Sequence, residues 1–216
     1  MQALDHDAYL RLSADAKVLE ADRYGDKVLR LADGNFLKLF RRKRLLSSAL
    51  YYPYAQRFAD NAKLLQTHDI PCPKVLAVYR VSTLARDVVH YQPLPGETLR
   101  QLYLHRSDSA DRHLKEQLGA FIATLHDRGI YFRSLHLGNI VLTPDHTLGL
   151  IDISDLKGQT TPLGRHKRLR NFRHMLRYTE DRRWLLNDAG QAFWNAYIAA
   201  STHPAALALA NQLKTL

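Results

Sequence analysis

Phe132-Arg133-Ser134-Leu135-His136-Leu137-Gly138-Asn139-Ile140-Val141, followed by Leu150-Ile151-Asp152-Ile153-Ser154-Asp155, sets polar side chains at the ends of two short apolar runs. The runs, 140–142 and 148–153, are separated by Thr143-Pro144-Asp145-His146 and predict a small hairpin. Asn139 stands just before the first run, and Asp152 falls 13 residues later, at the end of the second. An acid placed where a buried strand finishes more often has a specific task than a solubilising one. Upstream, Leu114, Leu118, Phe121, Ile122 and Leu125 define one face of a helix over 110–128, closed by Gly129. Downstream, Leu169, Phe172 and Leu176, then Phe193 and Tyr197, predict further helices. Asp188 is a candidate cap for the helix that holds Phe193 and Trp194.

Toward the N-terminus the period changes. Short apolar runs at 17–21, 27–31 and 35–40, with Asp33-Gly34-Asn35 between the last two, predict a meander of three antiparallel strands. Tyr54, Phe58, Ala62 and Leu65 recur at helical spacing over 53–67, with Pro53 at the start and Pro71 beyond the end. Two further strands fit 74–80 and 86–91. Gln92-Pro93-Leu94-Pro95-Gly96 then interrupts regular structure, because proline removes backbone donors. The expectation is an α+β chain of two lobes: a strand-rich lobe with one helix over 1–91, and a mainly helical lobe with an embedded hairpin over 92–216.

The composition, 216 residues with 46% hydrophobic, is that of a folded protein. A single cysteine, Cys72, excludes an intramolecular disulfide. The N-terminus lacks the basic and apolar regions of a secretory signal, and no apolar stretch is long enough to span a membrane. The expected compartment is the cytoplasm. Thirty-one Lys and Arg against 21 Asp and Glu give a net charge of +10. The excess clusters at Lys38, Arg41, Arg42, Lys43 and Arg44, and again between Arg165 and Arg183. Such patches concentrate anionic partners: nucleic acid, an anionic membrane surface or a phosphorylated substrate. Tyr51, Tyr52 and Tyr54 beside the first patch could stack on bases, but no nucleic-acid-binding motif accompanies them, which disfavours that partner. The histidines lack zinc-ligand spacing, and no Gly-x-Ser-x-Gly elbow is present.

A strand-rich lobe, a linker and a helical lobe with a hairpin follow the order of the protein-kinase fold. The stretch 132–155 resembles the catalytic loop and metal-binding Asp of kinase-like phosphotransferases, whose loop reads His-Arg-Asp, four residues, then Asn. Anchored on Asn139, the Asp position falls on Ser134, the Arg on Arg133 and the His on Phe132. His136 and Gly138 match the loop of the small-molecule branch. Arg30-Leu31-Ala32-Asp33-Gly34-Asn35-Phe36-Leu37-Lys38-Leu39-Phe40 and Asp69-Ile70-Pro71-Cys72-Pro73 are similar to segments of the lipopolysaccharide core kinase family, including its toluene-tolerance (InaA-like) branch. The resemblance covers residues 17–180.

It implies ATP and Mg²⁺ as cofactors, with Lys38 on the α- and β-phosphates and Asn139 and Asp152 on the metal, a hard cation that takes oxygen ligands. Three departures bear on activity. Ser134 replaces the proton-accepting Asp, leaving His136 or Asp155 as candidate substitutes. Ala21-Asp22-Arg23-Tyr24-Gly25-Asp26 offers one glycine where kinases use three. The helix over 53–67 has Asp60 in place of a Glu to pair with Lys38. Arg133, Arg165, Arg168 and Arg173 are candidate contacts for an anionic sugar-lipid substrate, met at the inner membrane surface. The expected function is phosphorylation of a lipopolysaccharide core sugar. A catalytically impaired relative that binds nucleotide or a partner is the alternative, and a nucleic-acid-binding protein the second.

Overall fold

The three-stranded meander over residues 17–41 that the turn residues foretell forms half of a six-stranded sheet. A computed structural model describes residues 1–42, 51–104, 108–204 and 206–214; Lys43 and Arg44 of the first basic run lie outside them. The chain divides into two units, residues 1–94 with 153–155, and residues 95–152 with 156–216.

In the first unit the strands β1 (Gln2–Ala3), β2 (Lys17–Asp22), β3 (Gly25–Arg30), β4 (Phe36–Arg41), β5 (Lys74–Val81) and β6 (Arg86–Gln92) lie in the order β1-β5-β6-β4-β3-β2. All neighbours are antiparallel except β1 and β5. The Asp33 carboxylate accepts from Asn35 N (2.9 Å) and Nδ2 (2.7 Å), which closes the β3–β4 turn. The period of two then separates two faces. Leu37 and Leu39 bury against Leu29, Leu31, Val81, Val88 and Tyr9 of helix α1 (His6–Leu12). Phe36 and Phe40 face the other way, Phe40 stacking on Tyr54 at 6.2 Å and Phe36 meeting Tyr91 at 5.7 Å. Helix α2 (Tyr54–Thr67) presents Phe58, Ala62 and Leu65 there, with Pro53 at its N-cap. The tyrosines beside the first basic run are therefore partly structural: Tyr54 packs on Phe40, and Tyr52 donates to Asp60.

The second unit carries β7 (Glu97–Thr98), the short α3 (Leu99–Tyr103), α4 (Asp108–Asp127), β8 (Ile130–Phe132), the hairpin β9 (Ile140–Leu142) and β10 (Leu148–Leu150), β11 (Leu156–Gly158), α5 (Arg165–Met175), α6 (Thr179–Leu186), α7 (Gln191–Ala200) and α8 (Ala206–Lys214). Strands β10, β9 and β7 form one sheet, and β11 pairs with β8. Thr98 and Gln101 close a capping box on α3. Helices α4 and α7 approach so closely at Gly119 that a Cβ there would lie 2.3 Å from Phe193 O. Around them Phe172, Phe193, Trp194 and Tyr197 pack edge to face. The N-cap of α7 is Gly190 rather than Asp188. The protein is thus α+β, with an antiparallel-rich N-terminal sheet and a helical C-terminal region. No helix among the described residues is long and apolar enough to cross a membrane.

Candidate active site

In the second unit the polar run after β8 is built by its own backbone. Asn139 N donates to His136 O (2.9 Å), forming a 3-10 turn over Leu137–Asn139, and Asn139 Nδ2 donates to Ser134 O (3.0 Å). The Asn139 amide is thereby turned one way and held, in a side chain that is almost fully buried. Ile151 N donates to Asn139 O (3.0 Å), adding one rung beyond the Leu150–Ile140 pair of the hairpin. Asn139 therefore makes the last rung of this element, and Asp152 directly follows it. Asp152 is exposed and has φ 52°, a left-handed conformation that costs a non-glycine residue about 1 kcal/mol or more. The structure thus brings together Ser134, His136, Asn139 and Asp152 along one loop and hairpin.

His136 is a positioning residue in this geometry, which corrects the expectation that it could serve as the base. Its Nδ1 accepts from Gly138 N at 3.1 Å, so the neutral ring carries its proton on Nε2 and presents a donor. Burial and the nearby Arg100 charge push its pKa below the usual imidazole value. Behind it, Arg100 of α3 binds Asp181 of α6 through Nε (2.9 Å) and Nη2 (2.6 Å), and Tyr103 Oη adds a third bond at 3.1 Å. Asp181 is 1% exposed. A Cβ at Gly138 would sit 3.2 Å from both Arg100 Nη1 and the His136 ring, so only glycine leaves these groups in place.

A buried chain of hydrogen bonds supports the loop from below. Asn171 of α5 donates through Nδ2 to Phe132 O (2.7 Å) and accepts at Oδ1 from His126 Nε2 (3.3 Å). His126 Nδ1 accepts from Tyr197 Oη (3.1 Å), which in turn accepts from Arg168 Nη1 (3.0 Å). Arg168 is 0% exposed, and its Nη2 meets Asp127 at 2.6 Å. This corrects the expectation that Arg168 contacts substrate: a guanidinium with no surface cannot collect one. Arg133 is exposed just after β8, and Arg165 and Arg173 are exposed on α5, where Arg165 donates to Gln212.

Burial and the Arg168 charge lower the His126 pKa from 6.5 to about 3. The folded protein then refuses a proton that the unfolded chain takes up below pH 6.5. His126 thus contributes its full stability above that pH, and the contribution falls as pH drops toward about 3. Between pH 6.5 and about 5 the loss amounts to about 2 kcal/mol. His90, His136 and His203 shift in the same direction and add to the slope. Urea denaturation across this range, in the wild type and His126→Gln, isolates the term: the variant flattens the pH dependence, and identical slopes would refute the assignment.

The first unit holds the remaining candidates. Lys38 lies on β4 between Val28 and Val89, half-buried, its Nζ 5.9 Å from the Phe40 ring centre. The Asp60 carboxylate accepts from Tyr52 Oη (2.7 Å) and Gln56 Nε2 (3.0 Å). Asn61, one residue on, donates to Ile153 O at 2.7 Å and so ties α2 to the turn Ile153–Asp155 that directly follows Asp152. Sequence reasoning passed over Asn61, although an amide on the stripe of Phe58, Ala62 and Leu65 is itself a signal.

The family model of the APH phosphotransferase enzymes matches residues 12–130, just over half of the chain. The chain belongs to the phosphotransferase enzyme family. A comparison with curated proteins returns no match. The phosphotransferase match takes in β4 with Lys38 and ends before Phe132, so the loop and hairpin at 132–152 rest on the geometry above.

Proposed function

We propose that this phosphotransferase moves the γ-phosphoryl group of ATP, with Mg²⁺, onto a sugar hydroxyl of the lipopolysaccharide core or a related anionic glycolipid. The observation that carries the reading is Asp152, held in a left-handed conformation beside Asn139 at the end of the hairpin. Strain of this kind persists where the surrounding structure over-determines it, commonly at functional sites. One carboxylate and one fixed amide oxygen suit Mg²⁺, which binds few protein groups and completes its shell with phosphates and water. The metal ion spreads the charge that develops on the phosphates during transfer. Lys38 pairs with the α- and β-phosphates, Asn139 and Asp152 hold the metal, and the exposed Arg133, Arg165 and Arg173 draw an anionic acceptor at the inner membrane surface. The substrate class draws its support from the resemblance of residues 17–180 to the core kinases.

Ser134 favours a second reading. A hydroxyl accepts no proton from the acceptor as a carboxylate does, so the protein could bind nucleotide and turn it over slowly or serve a partner.

Calorimetric titration of ATP, with and without Mg²⁺, separates these. Mg²⁺-dependent binding is expected in the wild type, weakened at least about tenfold in both Lys38→Ala and Asp152→Ala. No binding at millimolar ATP would overturn the nucleotide site. Binding without turnover on any core saccharide would leave the second reading standing.

A further inference from the structure

Tyr178 ends the segment between α5 and α6 and is 36% exposed. Three groups of the second unit hold it in place. Its ring lies edge-on to that of His136, centres 5.4 Å apart. The Arg100 guanidinium sits 4.5 Å from the ring centre and that of Arg177 5.3 Å. Arg100 is itself locked by two hydrogen bonds to the buried Asp181, so the ring rests on a fixed support while the residue stays partly exposed. Arg177 also lines a groove of about 540 Å³ together with Arg182, Arg183, Thr179, Leu176 and Leu186. An aromatic ring therefore stands next to His136 of the loop, and Arg177, which flanks that ring, joins it to a groove that also carries Arg182 and Arg183.

Each half of this arrangement has a chemical preference. The apolar C–H face of a pyranose packs on an exposed aromatic ring, as apolar surfaces do generally. Arginine forks match the paired oxygens of a phosphate, and charge-assisted bonds of that kind are about twice as strong as neutral ones. A neutral sugar would leave the arginines unused, and a bare phosphate would leave the ring unused.

We propose that Tyr178, Arg177 and Arg183 form the acceptor subsite, and that the acceptor is a saccharide already bearing a phosphate group. The inference rests on the phosphotransfer reading for the position of the reacting hydroxyl, but the binding itself stands on the residues named. The subsite takes in the later arginines of the basic run between Arg165 and Arg183, after the end of α5. The phosphate in the groove orients the sugar, and a different hydroxyl on the ring above Tyr178 is the one presented to the loop at Ser134–Asn139.

Glucose 6-phosphate is the probe, titrated calorimetrically against the protein beside glucose and inorganic phosphate. The phosphosugar is expected to bind at least about tenfold more tightly than either part alone. Tyr178→Ala, Arg177→Gln and Arg183→Gln should each weaken it by about tenfold or more, whereas Arg112→Gln, at the exposed Arg112–Glu116 pair of α4, should not. Mg²⁺-dependent ATP affinity, measured on the same samples, should stay at the wild-type value and shows that the variants are folded. Phosphosugar affinity unchanged in Tyr178→Ala or Arg177→Gln would overturn the subsite, as would absence of saturable binding at millimolar probe. Inorganic phosphate binding as tightly as the phosphosugar would reduce the groove to a plain anion patch and also overturn it. Probe binding that depends on these residues in a protein that binds no ATP would leave the subsite and sink the phosphotransfer reading instead.

Discussion

Arg168→Met is expected to destabilise the protein by about 3–5 kcal/mol, the range for removing one partner of a buried ion pair. The methionine keeps most of the stem volume, so the loss is electrostatic. Each nitrogen of the guanidinium is committed: Nε to Leu163 O (2.7 Å), Nη1 to Tyr197 Oη and Ser201 Oγ (3.0 Å each), and Nη2 to Asp127 (2.6 Å). Burial alone would raise the Asp127 pKa. Hydrogen bonds from Thr202 N and Arg168, with the Arg168 charge, outweigh that and hold the carboxyl below its usual range. Without Arg168 the carboxylate keeps the Thr202 N–H and loses its counter-charge, while the Leu163 carbonyl loses its donor. Adding Asp127→Asn to the variant should therefore recover part of the stability, a sign that a mere packing defect would not give. Urea denaturation of the four proteins of this cycle measures both quantities. A loss below about 1 kcal/mol in the single variant would mean that the buried pair contributes no more than a surface one.

That residue also shows where sequence reading stops. The meander, the helix over 53–67, the helix over 110–128 and the 140–150 hairpin were legible because turn residues and apolar periods agree there, and the observed elements fall within a few residues of the expected ones. Arg168 read as one charge in a basic run. Yet Arg168, Phe172 and Met175 share one stripe of α5, and Asp181, Trp184 and Leu185 share one of α6. In both helices the burial pattern placed a charge among apolar neighbours, and only the partners, Asp127 and Arg100, explain it. Those partners come from 41 and 81 residues away, where no local pattern links them. Sequence separation also hid the β8–β11 pairing and the parallel β1–β5 contact, whose strands are not joined directly by one turn. The loop itself was the opposite case. Ser134, His136, Asn139 and Asp152 are joined by bonds spanning a few residues and one short hairpin, so their spacing already carried the geometry.

Ser134→Asp is expected to raise phosphoryl transfer by about 10²–10⁴-fold, the range that a positioned general base contributes. The argument is local. The side chain at 134 is half-buried, and the residue's carbonyl accepts from Asn139 Nδ2 at 3.0 Å. A carboxylate there leaves that bond intact and supplies the proton acceptor that neither the serine hydroxyl nor the Nε2–H form of His136 provides. Positioning and charge are already in place if Lys38, Asn139 and Asp152 act as proposed, and they account for most of the catalysis in this reaction class. The gain should therefore appear in kcat with little change in the KM for ATP. Single-turnover transfer from γ-labelled ATP to a phosphosugar or core oligosaccharide would measure it, with Ser134→Ala expected to stay near the wild-type rate. An aspartate variant that binds Mg²⁺ and ATP normally yet transfers no faster would place the proton acceptor elsewhere and end the case for this loop. A serine-to-alanine loss as large as the aspartate gain would make the hydroxyl itself the working group, and Ser134 would cease to be a departure at all.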